Sequence, residues 1–359
     1  MCPYCDFAVA TGAPDHERYL EAILAELDSR GARFSPAGGG RGNGETCALV
    51  SIYLGGGTPS LWRPDCISRA IAAIRSRFGG DALREVTIEA NPTDCTAQAC
   101  ADWRAAGVTR VSIGVQSLAA DELVVLGRDH RFGDGPTALQ TVLAAGLTSS
   151  CDAIVGTPGL APDLGTVDTL ARSAVDHLSV YELTIEDRTA FGARVKAGRM
   201  TPLDEDVLAE LYIAVDAHLT AAGFEHYEIS SYARPGKRAI HNSLYWQCAP
   251  FLGLGVGAAS LELSPDGGGV RQTNPRRVAD YYAGVAPERV VSSPSELAGE
   301  RAWLGMRTSD GVAEEALSAA VTDWLLGEGL ATRTAGRICP TLRGFLLANR
   351  IAARIAEAL

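Results

Sequence analysis

This 359-residue sequence predicts a parallel α/β fold, and three observations carry the prediction. Short β-branched runs, each closed by Gly, Pro or a polar residue, recur along the first half of the chain. They are ALVSIYLGGGTPS (48–60), EVTIEANP (85–92), RVSIGVQS (110–117), SCDAIVGTPG (150–159) and HLSVYELTI (177–185). Segments of helical period over 64–78, 95–106, 119–126, 136–146 and 165–175 fall between them, the alternation of βα units. The chemically distinctive residues Gly55, Gly56, Gly57, Thr58, Glu89, Gln116 and Asp152 stand where strands stop. That is the end at which parallel sheets carry their sites, so the placement indicates an enzyme-like cofactor site.

Composition sets the class. Hydrophobic residues make up 47% and charged residues 21%, the balance of a soluble globular protein. A net charge of −11 excludes nucleic acid as a main partner. No run approaches the ~20 apolar residues a membrane span needs, and no leader pattern opens the chain. Nine cysteines, scattered singly after the first pair, do not make a disulfide framework and fit a reducing cytoplasmic setting. Most should pack as small apolar residues.

The remaining segments complete the organisation. FSPAGGGRGNGE (34–45) reads as a surface insertion. A helix over 204–221 is followed by FEHYEISSYARPGKRAIHNSLYW, and further helices are expected over 299–306, 313–329 and 342–358. With GLATRTAGRICP between the last two, the end of the chain reads as a small winged-helix-like domain. The expected divisions are a first domain over 1–200, a connecting segment over 201–290 and a mostly helical domain over 291–359.

MCPYCDF, at the very start, admits several readings. Cys-Pro-Tyr-Cys imitates a glutaredoxin dithiol, but that fold needs a strand before the pair. A zinc site needs two more ligands, and the next close pair, Cys95 and Cys100, falls in a helical stretch. A third reading joins the pair to the strand ends. CPYCDF, GGGTPSLW, EANPTD, GVTRVSIGVQS, LGRDH, DAIVGTPG, YELTIE, YEISSYARPG and HNSLYW follow in that order over essentially the whole chain. Together they resemble the radical S-adenosylmethionine (SAM) family, specifically its heme chaperones of HemW type, relatives of oxygen-independent coproporphyrinogen III oxidase.

The resemblance implies a partial (β/α)6 barrel whose first strand is missing from this chain, with a small C-terminal domain. It implies a [4Fe–4S] cluster held by thiolates spaced C-x3-C-x2-C, with SAM on the open iron. Cys2 and Cys5 would be the second and third ligands. Gly55, Gly56, Gly57 and Thr58 would let the backbone approach the SAM amino group, although a Gly run also suits an ordinary βα turn. Glu89 would accept hydrogen bonds from SAM, and Gln116, Arg128 and Asp152 would contact its ribose and carboxylate, Arg128 by its bidentate fork. His241, Asn242, Tyr245 and Trp246 of HNSLYW would lie near heme, with His as an iron ligand and the aromatic rings stacking on the porphyrin. A packed corner with His241 capping a turn is the plainer reading, and His226 and His130 are the other candidate ligands. No catalytic residue is assigned.

The sequence departs from the family pattern in several places. The family's first cysteine lies four residues before Cys2, so the chain reads as N-terminally truncated, with ALVSIYL expected as an exposed apolar edge. Ala259 stands where relatives carry His, and the end domain is short between Val312 and Leu330. Phe7 occupies the position of the oxidases' fourth cysteine, which disfavours the oxidase. The implied role is heme binding and delivery to acceptor hemoproteins in the cytoplasm, with an electron donor for the cluster. Membrane contact is expected only through a membrane-bound acceptor, and a homodimer is compatible with this role. The rivals are radical oxidative decarboxylation of coproporphyrinogen III and a degenerate heme binder without the cluster.

Overall fold

The computed structural model describes residues 2–6, 8, 14–34 and 48–358. Phe7 and nearly all of the glycine-rich insertion lie outside the described residues. Helix α1 (His16–Arg30) opens on Asp15, whose side chain accepts from Arg18 N, and buries Leu20, Ile23 and Leu27 at helical spacing. The alternating part follows. It runs β1 (Ser51–Leu54), α2 (Pro64–Phe78), β2 (Glu85–Ala90), α3 (Ala97–Ala105), β3 (Arg110–Gln116), α4 (Ala120–Val125), α5 (Asp134–Ala144), β4 (Thr148–Val155), α6 (Gly165–Ala171) and β5 (His177–Glu182).

The chain then changes character. Helices α7 (Ala190–Lys196) and α8 (Glu205–Ala221) lead to the hairpin β6 (Glu225–Glu228) and β7 (Ser231–Ala233). The sheet order is β1-β2-β3-β4-β5-β7-β6. Pairing is parallel from β2 through β5 and antiparallel from β5 to β7 and β6. The sequence reading placed the parallel strands but not the antiparallel hairpin. Strand β1, at the end of this order, was expected as an exposed edge. It does end the sheet, with Ile52 buried and Ser51, Tyr53 and Leu54 half-buried.

Beyond the hairpin lie α9 (Ile240–Trp246), the antiparallel sheet of β8 (Ala259–Leu263), β9 (Gly269–Thr273) and β10 (Glu288–Ser292), and α10 (Val278–Tyr282). The C-terminal part holds α11 (Pro294–Gly305), β11 (Val312–Ala313), α12 (Ala319–Gly327), β12 (Ala331–Thr334), β13 (Arg337–Pro340), α13 (Leu342–Leu346) and α14 (Ala348–Ala356). Its core is apolar, built on Met306, Val321, Leu325, Leu330, Ile338, Ile351 and Ile355. Helix α11 begins at Pro294 behind a Ser293–Glu296 capping box, earlier than the expected 299. The helix expected over 313–329 starts only at Ala319, because Val312 pairs with Ile338 and Ser318 caps the new start.

By its internal contacts the chain forms two units. One gathers residues 2–6, Tyr53–Pro64 and Val86–Ala239. The other gathers the chain around α1 through Ile52, Asp65–Glu85 and the residues from Ile240 onward. No helix of the described residues is long and apolar enough to cross a membrane.

Candidate functional site

The seven-stranded sheet has two unlike faces. One carries Ile88, Val111, Ile113, Val115, Cys151, Ala153 and Leu178, all fully buried. The opposite face carries Glu89 beside Ser112, Ser112 beside Ser150, Ser150 beside His177, and Asp152 beside Ser179 and, one strand further, Ser231. A parallel sheet packed on both faces by apolar layers reads as continuous hydrophobic runs. Here polar residues recur on one face although Ser112, Ser150, His177, Ser179 and Ser231 are themselves buried. Buried polar groups on one face need partners, so this face forms a polar lining.

The upper row of that lining holds the predicted cofactor residues. Tyr53 Oη donates to Glu89 Oε1 at 2.7 Å, and Gly56 N donates to Glu89 Oε2 at 2.9 Å. Burial raises the Glu89 carboxyl above its usual range, opposed by these two donors. Gly56 has φ +111°, and a Cβ on Gly55 would sit 2.9 Å from Glu89 Oε1 and against the Tyr53 ring. Both glycines are thus required by geometry. Gly57 is exposed, and Thr58 ends the turn with its carbonyl accepting from Leu61 N. Asp152 takes hydrogen bonds from Ser112 Oγ at 3.3 Å to each oxygen. Burial lifts Asp152 to about 7, the Glu89 charge adding to the rise and Ser179 and Ser112 opposing it.

Gln116 and Arg128 converge at the end of β3. Gln116 adopts φ +63°, a left-handed conformation uncommon outside glycine, where the register with β4 shifts. Such strain persists where the surroundings impose it, most often at functional sites. Arg128 Nη2 donates to Gly114 O at 2.8 Å and Asn91 Oδ1 at 3.0 Å, and Nη1 donates to Cys2 Sγ at 3.3 Å. Cys2 and Cys5 share one turn, closed by Cys5 N donating to Cys2 O at 3.2 Å, and both are half-buried. Phe191 N donates to Pro3 O at 2.9 Å, and Gly127, at φ +60°, leaves room for the Pro3 ring. One unit thus brings together Cys2, Glu89, Gln116, Arg128 and Asp152. The sequence reading missed Tyr53, Asn91, Ser112 and Ser179; the signal for Ser112 and Ser179 was the polar alternation within their strands, while Asn91 follows directly on β2.

Within the other unit, α9 carries HNSLYW. Glu85 is buried, and its carboxylate accepts from Ile240 N at 3.1 Å and His241 N at 2.9 Å, capping the helix start. His241 Nδ1 lies 2.9 Å from Ser51 Oγ, and Nε2 lies 2.8 Å from Tyr245 Oη. Burial lowers His241 to about 4 against the pull of Glu85, so its imidazole is neutral near pH 7. Asn242 and Trp246 are half-buried on the same helix, while Tyr245 is exposed. The other two candidate histidines are engaged in the first unit: His130 Nε2 with Val115 O at 3.0 Å, and His226 Nδ1 with Asp216 at 2.8 Å beneath the Tyr232 ring. Ala259 opens β8 with its side chain exposed.

Comparison with known proteins fits this arrangement. Residues 1–170 match the model of the Radical SAM superfamily, the class to which the parallel partial barrel with its cysteine turn corresponds. The coproporphyrinogen III oxidase of Escherichia coli, a solved radical SAM enzyme, superposes with a TM-score of 0.78 over 100% of this chain and 88% of that one. At 21% identity that likeness defines the fold. The protein named heme chaperone HemW in Mycobacterium tuberculosis is 35% identical over 98% of this chain and 90% of its own length. The HemW of Escherichia coli is also 35% identical, over 79% of this chain and 72% of its own. The chain therefore belongs to the HemW family of heme chaperones within the radical SAM superfamily.

Proposed function

We propose that this chain binds heme and passes it to acceptor hemoproteins, using a SAM- and cluster-binding barrel as support. The observation that carries the reading is His241. It is a neutral imidazole at the start of a capped helix, with an exposed tyrosine as the partner of Nε2. His130 and His226 have ring nitrogens bonded to a backbone carbonyl and to a carboxylate within the fold, which favours His241 as the heme contact. Tyr245 and Trp246 supply aromatic surface on the same helix.

The barrel residues suit the cofactors that the superfamily implies. Cys2 and Cys5 offer two thiols in one turn, with the Arg128 guanidinium beside Cys2. A [4Fe–4S] cluster bound there would supply one-electron reduction of SAM. Glu89 orders the Gly55–Gly56 turn for a close backbone approach, and Arg128, anchored through Nη2 on Gly114 O and Asn91, would bring its guanidinium charge to a carboxylate. Asp152, Ser112 and Ser179 line the polar face for hydroxyl groups.

Titration of the purified chain with ferric heme tests the proposal. Wild type is expected to give a saturable Soret change, and His241→Ala to lose the histidine-ligated signature. An unchanged spectrum in that variant would remove His241 from the site. Turnover of coproporphyrinogen III with SAM and reductant would favour the oxidase reading instead, which at present rests on likeness of fold alone.

A further inference from the structure

We infer that Ser51 is a positioning residue for His241, and that Tyr245 is the resting partner of the imidazole, withdrawing when Nε2 takes the heme iron. The inference rests on the heme reading above and assigns roles to two side chains around it. Ser51, on β1, sits 2.9 Å from Nδ1. Tyr245, four residues along α9, sits 2.8 Å from Nε2, and its ring meets the His241 ring edge-on at 4.8 Å.

The molecule contains its own control. His177 has the same two kinds of partner, Ser150 Oγ at 2.7 Å from Nδ1 and Tyr227 Oη at 2.8 Å from Nε2. There all three side chains are buried, Tyr227 being 2% exposed. That triple is fixed at both nitrogens. Around His241 the Nδ1 partner is half-buried on a strand, while the Nε2 partner is 40% exposed. One nitrogen is therefore held by the sheet and the other by a side chain that solvent can replace.

Tautomer chemistry gives the asymmetry a use. A neutral imidazole has one N–H and one lone pair, and the lone pair ligates metal. With Ser51 Oγ accepting from Nδ1–H, Nε2 carries the lone pair and accepts from the Tyr245 hydroxyl. A hydrogen bond from the far nitrogen to a fixed acceptor is how ligating histidines are oriented and made more basic. Glu85 holds the backbone at Ile240 and His241, so the ring pivots on a fixed base. No redox step is involved: the Nε2 lone pair exchanges the hydrogen bond from the Tyr245 hydroxyl for a coordinate bond to iron, and that hydroxyl turns to water.

The test is a titration of the full chain with ferric heme, read by Soret absorbance and by the electron paramagnetic resonance of the bound iron. Removing a competing hydroxyl is expected to make Tyr245→Phe bind about fivefold tighter. Removing the Nδ1 acceptor is expected to make Ser51→Ala bind about five- to tenfold weaker, with altered axial-ligand g values. Ser51→Thr keeps the hydroxyl and should restore the spectrum. If His241→Ala loses the histidine signature while Ser51→Ala and Tyr245→Phe match wild type in affinity and spectrum, the positioning roles are overturned and heme binding stands. If His241→Ala binds with the wild-type spectrum, the heme reading falls and takes this inference with it. Should Ser51→Ala fail to fold, Tyr245→Phe carries the test alone, and wild-type affinity there overturns it.

Discussion

Two Ser–His–Tyr triples in this chain are chemically alike and physically different. Ser150, His177 and Tyr227 are enclosed in the sheet unit, and burial holds the His177 ring neutral far below its usual range. Ser51, His241 and Tyr245 begin on a strand and end in solvent. The same three residue types therefore serve a packed corner in one place and an accessible imidazole in the other. Solvent access at one end, rather than composition, separates a structural histidine from a candidate ligand.

The contrast is broken most strongly at its buried member. His177→Ala should destabilise the fold by about 2–4 kcal/mol, because it opens a void and strands two buried hydroxyls. Denaturant unfolding reads that loss, and heme affinity measured below the transition should not change.

Asp152 sharpens the same point within the polar lining. Its pKa of about 7 lies above the ordinary 3.8, so the folded chain holds the proton more tightly than the unfolded one. The sign follows: stability falls as pH rises from about 4 to about 7, then levels off. Asp152→Asn should flatten that decline and leave the variant more stable than wild type at pH 8, by about 2–4 kcal/mol. Thermal melts across pH 4–8 check it, and parallel slopes for the two proteins would refute the assignment.

Smaller effects are expected toward the exposed member. Glu85→Gln weakens the cap of α9 and should cost about 1 kcal/mol, with heme affinity reduced in step. Tyr245→Phe should change stability by less than about 0.5 kcal/mol while changing heme affinity, the reverse of His177→Ala. The exposed Arg333–Glu314 pair bounds the scale, since Arg333→Ala should leave the denaturant midpoint unchanged.

Much of the barrel was legible in the sequence because its signals are local. A strand, its turn and the following helix announce themselves by period and by Gly or Pro. So Glu89 and Gln116 were legible at strand ends, whereas Asp152, expected at one, stands within β4, three residues before its end. The alternation in RVSIGVQS and HLSVYEL was equally local, yet its meaning depended on the strands being covered on both faces. Ser112 and Ser179 were missed for that reason. The β6–β7 hairpin was missed because its pairing with β5 joins Ser179 to Ser231, residues far apart in the chain. The shortened helix α12 has the same cause, the long-range pairing of Val312 with Ile338.

By itself the sequence determined the order of strands and helices, the family, and the residue types available to a cofactor, since period, turn chemistry and motif spacing are written along the chain. The tertiary structure decided which polar side chains share one face, why Gln116 takes a left-handed backbone, and which histidine keeps an accessible partner. These depend on burial and on contacts between residues as distant as Ser51 and His241, and no local pattern encodes either.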